Sequence, residues 1–168
     1  MARPRSVPDD VVHDTVLALH RAGGVKAVTF SAVAAGAGLA ASSLVQRHGS
    51  VEGMLRDARA ALWARVEAAT DAAASEAATS PKGAAAFLKA IEDAAGPVLA
   101  HVPDDPVLIA RAADWRGRVE AELALRLGGG AKGREAAAIL FAALAGSSGW
   151  APTGARPFKW RDAVKRLA

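Results

Sequence analysis

Apolar residues in this chain recur at intervals of three and four, and no stretch sustains an alternation of β-branched with polar residues. A strand returns to the same face every second residue and a helix every 3.6, so this spacing excludes a half-buried sheet and calls for helices. Leu108, Ala112, Trp115, Val119, Leu123 and Leu127 show the rule, since they line up as one stripe along a helix. Alanine, the residue that resists helix formation least, is abundant throughout. The fold class expected is therefore all-α.

Glycine, proline and capping residues divide the chain. Pro8 and Asp9 open a helix that ends at Gly23-Gly24. Thr29 or Ser31 can cap a short helix stopping at Gly36 to Gly38, and 40–48 make another. Ser50, with Glu52 in the first turn, starts a long helix bearing Val51, Met54 or Leu55, Ala58, Leu62 and Val66 on one face. Ser80-Pro81 begins a helix with Phe87, Leu88 and Ile91 that should break at Gly96-Pro97. Asp104, Asp105 and Pro106 start the next, in which Asp114 and Arg118 are spaced to form an i,i+4 pair, and the glycines at 128–130 end it. A helix over 131–145 follows, then a linker "GSSGWAPTGARP", then a short last helix over 158–167.

The 168 residues suffice for one compact unit or a small module joined to a larger one. There is no cysteine, which excludes disulfides and thiolate metal sites. The N-terminal "MARPRSVPDD" has no apolar signal stretch, and the run "AAAILFAALA" is shorter than the ~20 residues of a membrane span. These features read as a soluble, cytoplasmic chain with no membrane partner. A net charge of +4 and a pI near 10 are compatible with an anionic partner, but on charge alone a solvated surface with a small excess of arginine is the favoured reading.

Between Thr29 and Leu55 the residues are small where two short helices must meet closely. Ala34, Gly38 and Leu44 supply an alanine at the crossing, a glycine in the turn and an apolar residue six positions on, with Val33, Ala37 and Leu39 beside them. This is the pattern of a helix-turn-helix. The segment "TFSAVAAGAGLAASSLVQRHGSVEGML" resembles the tetracycline-repressor-like (TetR) family of bacterial transcription regulators, in the variant that reads "LVQRxGS". The matching residues are Thr29, Val33-Ala34, Ala37-Gly38-Leu39, Ser50 and Glu52, and close similarity covers about residues 11–58.

The resemblance implies an N-terminal helix-turn-helix domain over residues 1–52, and a helical effector-binding and dimerisation domain over 53–168. A long helix would join them. It also implies a recognition helix near 40–47. Residues Thr29, Ser31, Ala41, Ser42, Ser43, Gln46, Arg47 and His48, with a basic arm of Arg3 and Arg5, would face DNA. Gln46 can bond an adenine edge twice, serines serve bases or phosphates, and small side chains let the helix enter the major groove. Val45 stands where the family has a phosphate-binding tyrosine, and Val51 where it has a lysine. His48 replaces an aromatic that normally packs inward. Weaker binding with a shallower salt dependence is expected.

In the second domain, "REAAAILFAALAG" is apolar nearly all round and so should be buried on both sides. The resemblance makes it half of a four-helix homodimer interface with the last helix, through Ile139, Leu140, Leu144, Phe158, Trp160 and Val164. Such a dimer presents two recognition helices roughly 34–36 Å apart to a near-palindromic double-stranded operator. Candidates to line an effector pocket are Trp63, Phe87, Ile91, Trp115, Phe141 and Trp150, with His101 and Arg111 as polar anchors; for any single one of them plain core is the favoured reading.

No Gly-x-Ser-x-Gly, phosphate-cradling loop or i,i+4 histidine pair is present; His13 and His20 are seven apart. No enzyme, metal or cofactor is therefore expected. The expected function is a ligand-released repressor. The alternative is a helical dimer that binds small molecules or partners and has a degenerate reading head.

Overall fold

The computed structural model describes residues 7–99, 105–154 and 156–168. Arg3, Arg5 and His101 lie outside them. Among the described residues there are eight α-helices, two short 3-10 turns and no strand, so the chain is all-α. It divides into two compact units, the first reaching Ala64 and the second starting at Arg65.

The first unit holds α1 (Asp9–Gly23), a 3-10 turn (Val25–Ala27), α2 (Phe30–Ala37), α3 (Ala41–His48) and the beginning of α4 (Val51–Glu76). Asp9 and Asp10 sit in the first turn of α1, where negative charge is favoured. Thr29, rather than Ser31, caps α2: its hydroxyl accepts from the Ala32 N–H at 3.1 Å. Gly38 ends α2 in the left-handed region at φ 70°, which is the backbone the sequence reserved it for. Gly36 permits close approach, because a Cβ there would stand 2.6 Å from the Thr15 methyl. Val12, Val16, Val28, Val33, Leu44 and Met54 form the core of this unit.

The second unit contains the rest of α4 with α5 (Pro81–Leu99), α6 (Pro106–Arg126), α7 (Gly130–Trp150), a 3-10 turn (Ala151–Thr153) and α8 (Trp160–Leu167). α7 packs on α5 and α6, and α8 lies along α5. Its core is Phe87, Leu88, Ile91, Trp115, Val119, Leu123, Leu140 and Leu144. The end of α4 is tied down by a buried cation. Arg126 of α6 donates to the carbonyls of Ala74 at 2.6 Å and Ala77 at 3.1 Å, pairs with Glu122, and lies 5.0 Å from the Phe87 ring centroid.

Three expectations are corrected. α5 does not break at Gly96-Pro97 but runs to Leu99. A proline this near the end forfeits few hydrogen bonds, and burial of Ile91 and Ala95 holds the last turns. α7 continues to Trp150 through the "GSSGW" read as linker, although none of its residues after Leu144 is buried; the Ser147 hydroxyl donates to the Leu144 carbonyl at 3.0 Å. With that extension, residues 130–153 are long and apolar enough to cross a membrane by length and composition; Ala136, Ala137, Leu140, Phe141 and Leu144 are instead buried against the second unit's own helices. Finally, Arg118 pairs with Asp71 at 3.4 Å and Glu67 at 3.6 Å on α4, not with Asp114.

Candidate nucleic-acid interface

α3 presents two faces. Ala41, Leu44 and His48 follow one another at three and four residues and turn inward, with Leu44 fully buried. Ser42, Val45 and Gln46 are exposed, and Ser43 is half-buried. The outer face is thus two small polar groups, an amide and Val45, which is 46 % exposed. Such a surface can approach a groove floor closely and hydrogen-bond base edges. Thr29 and Ser31 are exposed at the start of α2, although the Thr29 hydroxyl already serves as the helix cap.

Two of the residues expected at DNA are engaged elsewhere. The His48 side chain is only 6 % exposed, and its Nδ1 lies 2.8 Å from Asp57 Oδ2. Its ring centroid is 6.1 Å from that of His13. It occupies the inward position of α3 because it follows Leu44 by one turn, and so offers DNA nothing directly. Arg47 is clasped to the start of α1: its Nη1 donates to Asp9 Oδ1 at 2.9 Å and to the Val7 carbonyl at 3.2 Å. Periodicity alone could have placed His48 inward; no local signal pointed to Asp9 or Asp57 as partners.

Electrostatics do not favour a strongly charged reading head. In residues 7–64 the five cations Arg21, Lys26, Arg47, Arg56 and Arg59 are matched by Asp9, Asp10, Asp14, Glu52 and Asp57. The formal charges of this span therefore balance.

In the second unit, the residues considered for a pocket are mostly packed. Phe87, Ile91, Trp115 and Phe141 are buried. The Trp115 indole N–H donates to Thr70 Oγ1 at 2.9 Å and its ring meets Phe141 edge-on at 5.8 Å. Trp63, at the end of the first unit, is also buried, whereas Trp150 is 68 % exposed. Arg111 is held by both oxygens of Glu67, at 2.9 and 2.7 Å. That hydrogen bond, opposed by partial burial and reinforced by the charges of Arg111 and Arg118, holds the Glu67 carboxyl below its ordinary value. Of the residues considered for a dimer interface, Leu140, Leu144, Trp160 and Val164 are buried within their own unit. Only Ile139, 47 % exposed, and Phe158, 41 % exposed, remain within reach of a partner.

No family model matches the sequence, and no curated protein matches it. The structure is similar to that of a TetR-like transcriptional regulator from Rhodococcus sp. RHA1, with a TM-score of 0.73 over 99 % of this chain and 94 % of that one, at 17 % identity. Agreement over nearly the whole of both chains establishes a shared fold: an N-terminal helix-turn-helix followed by a helical domain.

Proposed function

We propose that this chain is a sequence-specific DNA-binding transcriptional regulator whose α3 is the recognition helix. One observation carries this reading. Ala34 and Leu44 lie in the core of the helix-turn-helix, Gly38 turns the chain between its two helices, and Ser42 and Gln46 are left exposed along one side of α3. The shared fold with a protein described as a TetR-like regulator supports it. Ser43, Thr29 and Ser31 are candidates for phosphate or base contacts beside them, and the arm of Arg3 and Arg5 for the adjoining minor groove.

A homodimer fits α7. Only 28 % of its apolar stretch is buried in a single chain. Ile139, Ala142, Gly146 and Trp150 leave an exposed stripe of small and apolar residues at helical spacing. A second copy packed there would give a two-fold reader of a near-palindromic operator. Repression relieved by a small molecule needs a coupling of only ~1–3 kcal/mol between the two domains, taken as 1–52 and 53–168.

Selection from a random duplex library by the full chain, at low and then moderate salt, tests the reading. Recovery of one near-palindromic motif, lost in Gln46→Ala with Ser42→Ala, is the expected result. If the folded chain enriches nothing, the alternative stands: a helical dimer with a degenerate reading head, which Val45, Val51 and the Arg47–Asp9 clasp favour.

A further inference from the structure

The second unit carries a groove of about 500 Å³ between α5 and α8, away from the packed aromatic core. This volume is within the ~300–1,000 Å³ range of small-molecule clefts. Its floor is apolar: Ala85 and Ala86 of α5, Phe158, and the edge of Trp160. Trp160 is fixed in place, because its indole N–H donates to Glu92 Oε2 at 3.1 Å and its ring centroid is 4.5 Å from that of Phe158.

The rim is cationic. Lys89 is already neutralised by Asp93 at 2.7 Å and by Glu92 at 3.4 Å. Lys82, Lys159 and Arg161 form no ion pair among the described residues, and Asp162 is the one carboxylate in the lining. α8 also begins here, at Trp160, with no side chain capping its first turn. Three uncommitted cations above an aromatic floor, against the single Asp162 carboxylate in the first turn of α8, are complementary to a negative head on an apolar body.

We propose that this groove binds an amphipathic carboxylate, a small anion with an aromatic or aliphatic tail. The tail lies on Ala85, Ala86 and Phe158, and the carboxylate meets Lys82, Lys159 and Arg161. The site does not depend on DNA reading and can be tested without DNA.

Titration of the 15N-labelled full chain with 4-phenylbutyrate and with decanoate, followed by amide and indole NMR shifts and by calorimetry, tests the proposal. 4-Phenylbutan-1-ol and 4-phenylbutan-1-amine serve as the neutral and cationic counterparts. Saturable shifts at the Trp160 indole and at residues 82–89 and 158–162 are expected. The carboxylates should bind most tightly, the amine least, and added salt should weaken only the carboxylates. Lys82→Glu with Arg161→Glu should weaken carboxylate binding about tenfold, as two exposed ion pairs are lost and reversed, while alcohol binding is retained. If that pair of changes unfolds the protein, Lys82→Gln with Lys159→Gln replaces it. The proposal is overturned if neither carboxylate binds saturably, if shifts map elsewhere, if alcohol or amine binds as well as the acid, or if charge removal leaves affinity unchanged.

Discussion

On the proposed function, the Asp9 carboxylate occupies Arg47 Nη1 and offsets its charge, so Asp9→Ala should strengthen DNA binding although it removes a contact from the protein. Both side chains are solvent-accessible, at 31 % for Arg47 and 67 % for Asp9. A pair this exposed is worth ~0.2–1 kcal/mol, so releasing the clasp raises affinity by about 1.4- to 5-fold. A freed Arg47 that reaches one more phosphate steepens the slope of log affinity against log salt by about 0.9. Between about 50 and 200 mM salt that adds roughly a 3.5-fold further loss of affinity relative to the parent chain. Fluorescence anisotropy with a labelled duplex at four salt concentrations reads both quantities. The second change Arg47→Ala should erase the gain, as a double-mutant cycle requires. Loss of a carboxylate from the first turn of α1 costs only ~0.3–1 kcal/mol of stability, so the variant remains folded. Unchanged affinity with an unchanged slope would falsify the idea that the clasp withholds Arg47 from DNA.

Replacing Arg126 by methionine leaves the Ala74 and Ala77 carbonyls without their donor and should cost about 1–3 kcal/mol in urea unfolding followed by circular dichroism; unchanged stability refutes the idea that Arg126 ties down the end of α4. Glu67 has a folded value below its ordinary 4.5, so its contribution to stability is present above that value and lost as pH falls through the lowered one. Thermal melts of Glu67→Gln should therefore lie below the parent's near neutrality and converge with them in acid, whereas a constant offset at every pH excludes this linkage. Gln46→Ala should cost about 1–3 kcal/mol of discrimination at one base pair of a selected operator while leaving non-specific binding intact; a uniform loss on all sequences would assign Gln46 to phosphate instead.

The helices were legible because periodicity and capping are local. Thr29, Ser50, Ser80 and Asp105 each hold an N–H two or three residues ahead of them, which any reader of four consecutive residues can anticipate. The helix-turn-helix was legible for a similar reason: Gly38 in the left-handed region and the alanines around it are steric requirements written within ten residues. Where local signals competed with packing they misled. Gly96-Pro97 and "GSSG" both read as breaks and both are helical; burial of Ile91 and Ala95 accounts for the first, whereas the second runs on past the last buried residue of α7, Leu144.

By itself, then, the sequence determined that the chain is all-helical, where most helices begin, and which side of α3 is small and polar. Tertiary structure alone decided that Arg47 is held by a carboxylate 38 positions earlier, and that the last helix lies along α5. It also decided that Leu140, Leu144, Trp160 and Val164 are buried within one chain. Helical period fixes a residue's direction relative to its own axis, but the partner it meets depends on which distant segment packs there, and charge pairing or groove formation is set only by that placement.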